Sequence, residues 1–297
     1  MRLSIKTDKV EERNSRVHQV KITAIRIKTK YWLPGTNYVN EIVESVKNIL
    51  QDGDIVTISE KAISTAMGNL IDESQIEPGR LAKLLTSFWM RRLWGGPFGK
   101  LAKLRDHTIE RLKKYPISEG AAHKQVALDH VGLIHALRHY SEGGIDASNL
   151  PYSYVCLPLK DPKRIADSIQ IALDDVRNHL SVIIVDGDTT FSRRNLHIGP
   201  RNVPISGILY IGGFLTFLIG RKLNFTARST PLVETGVFRN PDLVLTLANV
   251  SHRVRGHGAG RTVWDMAKRF GVGLTEVTWD MLRLVDHYPI AILRVED

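Results

Sequence analysis

Cysteine is almost missing from this 297-residue chain. A single residue, Cys156, cannot close an internal disulfide, and zinc sites built from four cysteines are excluded with it. Long apolar runs are missing too. The longest uncharged stretch is the 19 residues between Arg201 and Arg221, interrupted by Pro204, Gly207, Gly212, Gly213 and Gly220, which is poor material for a membrane helix. Residues 1–16 form a polar tail without the apolar core of a secretory signal, so a cytoplasmic protein without a membrane span is expected. Low-complexity tracts and repeats of solenoid length are absent. Acidic residues are in short supply: 31 Asp and Glu face 41 Lys and Arg, a net charge of +10 that calls for an anionic partner. The remaining composition, 43% hydrophobic and 24% charged, is globular and excludes a disordered or collagen-like chain.

Residues 17–28 alternate apolar and polar positions and read as a strand. Asn37 then stands as an N-cap before Val39, Ile42, Val43, Val46, Ile49 and Leu50, one apolar face of a helix. Asp52-Gly53-Asp54 is a turn, and Ile55–Ile58 a short strand. Further on, Asp161-Pro162 opens a helix with Asp as N-cap and Pro at the first position. Val182–Val185 is an apolar strand of the buried type. Strand, helix and strand in this order predict an α/β or α+β architecture.

The stretch from Arg80 to Lys114 holds ten basic residues and two acidic ones, Asp106 and Glu110, so its balance of 10 − 2 = +8 is most of the net charge. Phe88, Trp89, Trp94 and Phe98 are interleaved, and Gly95-Gly96-Pro97 divides it into two helical halves. The interleaving predicts amphipathic helices with solvated basic faces. An anionic small substrate, a membrane surface or a dimer contact is the next reading, and nucleic acid is disfavoured.

Two loops concentrate oxygen ligands. One is Gly143-Gly144-Ile145-Asp146-Ala147-Ser148-Asn149; the other is Asp186-Gly187-Asp188-Thr189-Thr190, directly after the apolar strand. A carboxylate at the end of a buried strand needs a cationic partner. Mg²⁺ or Mn²⁺ suits such donors, so Asp146, Asp186 and Asp188 are the expected metal ligands, with Asx-turns or helix caps as the plainer alternative. The strand followed by Asp-x-Asp-x-Thr also resembles the nucleophile motif of haloacid-dehalogenase-type phosphatases. A third segment, Arg253–Thr262, combines three arginines with Gly256, Gly258 and Gly260 ahead of a helix over 263–270. Backbone N–H groups and arginines there make a phosphate cradle, with Arg255, Gly256, His257 and Gly258 as its core, although an ordinary Gly-rich turn has the same composition.

Taken together, these segments resemble the coenzyme F420-0:L-glutamate ligase family. The likeness rests on the Gly144-Ile145-Asp146-Ala147-Ser148-Asn149 box, Leu157-Pro158 before Asp161-Pro162, and Val182-Ile183-Ile184-Val185-Asp186. Arg193-Arg194, Asp52-Gly53-Asp54 and Ile63-Ser64 add to it. It runs over roughly residues 20–70 and 143–258. The resemblance implies a mixed-sheet α/β fold of two intertwined subdomains over residues 17–297, in a homodimer. A basic helical insertion falls at about 75–125 and a C-terminal extension at about 262–285. It also implies a ligase that uses GTP (or ATP) and Mg²⁺ or Mn²⁺ to join an amino acid, L-glutamate in the family, to an anionic carboxylate substrate through an acyl phosphate. Asp146 and Asp186 then match metal ligands, Asn149 a nucleotide contact, and Asp186, Arg193 and Arg194 the catalytic group.

Several positions depart from the family pattern. Gly187 stands where the family has Thr, His257 where it has an acidic or amide side chain, and Glu60, Lys61 and Thr65 at its nucleotide contacts, so those contacts are not expected here. A binding or regulatory protein on the ligase scaffold and a phosphatase are the competing functions.

Overall fold

The computed structural model describes residues 3–4, 21–236, 238 and 240–296. The expected polar tail therefore lies outside the described residues except for positions 3 and 4. The chain begins with β1 (Leu3–Ser4), β2 (Lys21–Thr29), α1 (Tyr38–Val46), β3 (Ile55–Ser59), α2 (Glu60–Ala66) and β4 (Leu70–Asp72). A helical layer follows: α3 (Arg80–Leu84), a wider i→i+5 turn over Leu85–Trp94, α4 (Pro97–Leu101), α5 (Asp106–Lys113), α6 (Ile117–His130) and α7 (Leu133–Ala136). After it come β5 (Tyr154–Cys156), α8 (Pro162–Asp174), β6 (Ser181–Arg193), β7 (Leu196–Gly199), β8 (Ile208–Tyr210), α9 (Gly213–Lys222) and β9 (Thr226–Glu234). The chain closes with α10 (Pro241–Arg255), α11 (Val263–Phe270), α12 (Trp279–Arg283) and β10 (His287–Glu296).

The main sheet runs β1-β2-β10-β3-β6-β7-β8, with β9 on β6 as well. The β3–β6 and β7–β8 pairs are parallel and the others antiparallel, so the sheet is mixed, as expected for an α/β fold. Local signals hold where short-range chemistry decides. Asn37 Oδ1 accepts from the N–H of Asn40, and Asp161 Oδ1 from that of Arg164, each at its helix start. The main core joins the central strands to α1, α8 and α10 through Ile42, Val46, Ile58, Ile169, Ile183 and Leu247, all fully buried.

The basic segment forms its own core. Met90, Trp94, Ala102, Leu112 and Tyr115 pack with Phe214, while Trp89 and Trp94 both donate to the Leu137 carbonyl at 2.8 Å. Lys83, Arg92, Lys100, Lys103, Arg105, Lys113 and Lys114 stay exposed. The basic faces are solvated; Trp94 is fully buried with Trp89 and Phe98 packed against its cluster, whereas Phe88 stays exposed. Among the described residues no helix is long and apolar enough to cross a membrane.

One expectation is overturned here. Asp186–Thr190 is not a loop: β6 runs on for 13 residues through Arg193. β9 supplies the reason, pairing with β6 from Ile183 to Ser192. The register slips between Asp186↔Thr230 and Thr189↔Ser229, so Gly187 and Asp188 form a bulge inside a continuous strand. The same extension moves Arg193 and Arg194. Seven extended residues carry Arg193 roughly 20 Å from Asp186. There its guanidinium lies 5.9 Å from the Phe225 ring centre.

Candidate active site

A gap in the sheet positions the site. β9 covers one edge of β6 along its length, whereas the other edge pairs with β3 only as far as Val185 and with β7 only from Phe191. Asp186–Thr190 is therefore open on that side, and a cavity of about 920 Å³ lies against it. β3 and β6 are parallel and in register up to Ser59↔Val185, so Glu60-Lys61 and Asp186 emerge side by side. This is the carboxyl end of β3, where its parallel pairing with β6 stops, the kind of position at which α/β sheets hold ligands.

Asp146, Glu60 and Asp186 each already have a cation. Lys61 Nζ donates to Asp146 Oδ2 and to Ser148 Oγ, both at 2.7 Å. Burial opposes the charge on Asp146, but Lys61 and Ser148 outweigh it and hold the carboxyl below its ordinary range. Arg201 forks onto Glu60 at 2.5 and 2.9 Å and reaches Asp186 Oδ2 at 2.9 Å. Burial raises the Glu60 pKa against the pull of that guanidinium. Gly144 lets Arg201 approach, since a Cβ there would sit 2.6 Å from Nη1. Asp188 is 2% exposed and its Oδ2 has no hydrogen-bond partner among the described residues. Burial, then the neighbouring Asp186, push its pKa well up against the pull of Arg138 and Arg201.

The opposite wall comes from the Gly-rich segment. α10 continues to Arg255, so Arg253 and Arg255 sit in its last turn rather than in the loop, and Gly256 caps the helix at φ 77°. Arg255 is 7% exposed and lines the cavity; Nε donates to Ser251 Oγ at 3.2 Å, and Nη2 has no partner among the described residues. Burial alone pulls its pKa down to about 10, because no carboxylate offsets it. His252 and His257 line the same wall, and burial depresses both, His252 to about 3, so His252 is a neutral donor or acceptor. Asn149 closes the loop. Its Nδ2 donates to the carbonyls of His257 (3.2 Å) and Gly260 (3.0 Å), and its Oδ1 accepts from Ala259 N. Gly258, at φ +56°, has no room for a Cβ, which would lie 2.5 Å from Asn149 Oδ1. Every polar atom of the Asn149 side chain is thus spent on backbone.

The helical layer supplies a third wall. Glu142 stands at the start of the Asp146 box, between Lys124 Nζ at 2.5 Å and His123 Nε2 at 3.3 Å. His123 Nδ1 reaches Glu73 at 2.7 Å. Lys124 is fully buried and also donates to the Arg138 carbonyl.

The sequence profile of the F420-0:gamma-glutamyl ligase family matches residues 26–217, well over half of the chain. The chain belongs to that family. A relative over nearly the full length is Uncharacterized protein MJ1361 of Methanocaldococcus jannaschii, 33% identical over 290 residues, covering 92% of this chain and 97% of the relative. The Coenzyme F420:L-glutamate ligase of Methanopyrus kandleri is 27% identical over 182 residues, covering 58% of this chain and 63% of that enzyme. The matched family region includes Glu60, Lys61, Asp146, Asp186 and Arg201, and ends before the Arg255 wall.

Within this family member, the structure brings Asp146, Asp186, Asp188, Asn149, Arg255, Gly256, His257 and Gly258 to one cavity. Arg193 and Arg194 do not line it, for the reason given by the length of β6. Lys61, where no nucleotide contact was expected, holds the box; Glu60 was noted only as a departure from the family pattern, and Arg201 was not singled out as a site residue. The strand-to-helix junction at Ser59-Glu60-Lys61 is the signal that marks the first two. Arg201 carries none, since it lies in an irregular stretch. The expected metal ligands do not form an open donor set. Asp146 and Asp186 each give an oxygen to a protein cation, and no three His, Cys, Asp or Glu side chains among the described residues gather as metal ligands.

Proposed function

We propose that this family member is a carboxylate–amine ligase: it joins the amine of an amino acid, L-glutamate by family likeness, to an anionic carboxylate substrate, driven by GTP or ATP. The observation that carries the reading is the cavity's division into two chemistries. The Arg255 wall with the Gly256–Gly260 loop is desolvated and cationic, suited to phosphate oxygens. The facing wall carries Glu60, Asp146 and Asp186 on Arg201 and Lys61.

A carboxylate is a poor electrophile. In the proposed reaction its oxygen takes the terminal phosphoryl group, releasing nucleoside diphosphate; the amine then attacks the acyl carbon, loses a proton, and inorganic phosphate leaves. Arg255 and the loop amides would hold the nucleotide phosphates, and His257 would add a hydrogen bond. Lys61 stands beside Asp146 and Ser148 to meet charge on the transferring group.

A homodimer belongs to the same proposal. Leu209 and Tyr210 on edge strand β8 and Leu215 and Ile219 on α9 are exposed apolar groups that a second copy would cover. The test is mass spectrometry of carboxylate substrates incubated with nucleotide, Mg²⁺ and amino acids. An amide product with one phosphate released per bond is the expected result. Phosphate release with neither nucleotide nor amine would replace the reading with a phosphatase, and nucleotide binding without product would leave a binding protein.

A further inference from the structure

The family likeness implies a divalent ion, and the donor set of this chain does not accommodate one as it stands. Arg201 and Lys61 hold the carboxylates of Glu60, Asp146 and Asp186 by direct ion pairs. The Arg201 fork takes both Glu60 oxygens and one of Asp186, and Lys61 with the Ser148 N–H takes both of Asp146. A dication placed among these oxygens would have to displace the two protein cations or sit against them in a desolvated site.

We infer that Arg201 and Lys61 stand in for a resident divalent cation at this site, and that the protein alone binds no such ion. An ion enters only as the companion of a bound polyphosphate; this second half rests on the ligase reading, the first does not. Arginine suits the role because its planar fork satisfies two carboxylates at once and it does not lose its proton.

Manganese supplies the probe. Mn²⁺ titrated into the protein without nucleotide, with free ion followed by electron paramagnetic resonance, should show no stoichiometric site tighter than about 1 mM. Arg201→Gln uncovers Glu60 and Asp186 and should tighten Mn²⁺ binding at least ~10-fold, as expected when hard carboxylate donors are freed. Adding Glu60→Gln to that variant should abolish the gain. Circular dichroism reports whether Arg201→Gln folds. If it does not, Lys61→Met, at a side chain 25% exposed, frees Asp146 and should produce the same gain. A micromolar Mn²⁺ site in the unmodified protein that Asp186→Asn removes would overturn the inference. So would unchanged Mn²⁺ affinity in a folded Arg201→Gln protein, or in Lys61→Met where that variant serves. A final arm adds a non-hydrolysable GTP analogue. Its failure to bind would count against the ligase reading and leave the nucleotide-free result to decide the first half.

Discussion

The His123 imidazole is the group whose protonation the fold controls most directly, and its perturbation can be worked through. His123 lies between Glu73 and Glu142, with its side chain 15% exposed. Burial alone would drive off its proton; the two carboxylates reverse that and raise its pKa from 6.5 to about 10. A proton held that much more tightly in the folded state corresponds to about 5 kcal/mol, at ~1.4 kcal/mol per tenfold. The sign follows from the direction of the shift. The folded protein binds the proton more tightly than the unfolded chain. The contribution is therefore full below pH 6.5 and disappears as pH rises towards 10. Glu142 works on the acid side: burial opposes its charge, but Lys124 and His123 hold its pKa well below the carboxylate range. Its contribution is present above about pH 4.5 and lost as pH falls further. The assay is urea denaturation from pH 6 to 9.5 for the natural chain and His123→Gln. At pH 6 the variant should be less stable by about 3–5 kcal/mol, the cost of breaking a buried charge pair. That gap should shrink as pH rises. The variant keeps Lys124, whose pKa burial pulls down and whose linkage runs the other way, so the difference isolates His123. A gap independent of pH, or a His123 resonance titrating near its ordinary value, would refute the reasoning.

Three further outcomes are expected. Arg255→Ala should raise the Michaelis constant for nucleotide ~10–100-fold, whereas Arg193→Ala, outside the cavity, should leave it unchanged; equal effects in steady-state kinetics would count against the cavity assignment. Gly258→Ala should destabilise by about 1–3 kcal/mol, from positive φ and crowding of Asn149, and should weaken nucleotide binding measured by calorimetry; a neutral result would mean that the Asn149 clasp is dispensable. Leu215→Asp combined with Ile219→Asp should turn a dimer into a monomer in sedimentation equilibrium, while an unaltered mass would place the dimer contact elsewhere.

The sequence by itself determined what short-range chemistry controls. Side-chain caps at Asn37 and Asp161, the Pro162 helix start, the break at Gly95-Gly96-Pro97 and the helix at 263–270 each depend on residues within a few positions. The Asp146 box and the Arg255 loop were legible as oxygen-rich and phosphate-like segments for the same reason. Tertiary structure alone decided how they meet. The extent of β6 depends on β9, some forty residues downstream, so a local reading ended the strand at Val185 and left Arg193 and Arg194 near a site they never reach. Arg201 lies 141 residues from Glu60, and nothing in either neighbourhood announces the pair. Asn149 fits the box pattern, yet its amide is spent on a loop 108 to 111 residues away. Residue types in sequence show which charges are available. Which of them neutralise one another is settled only when strand pairing brings the segments within hydrogen-bond reach, and here that pairing puts protein cations on the carboxylates expected to take a metal.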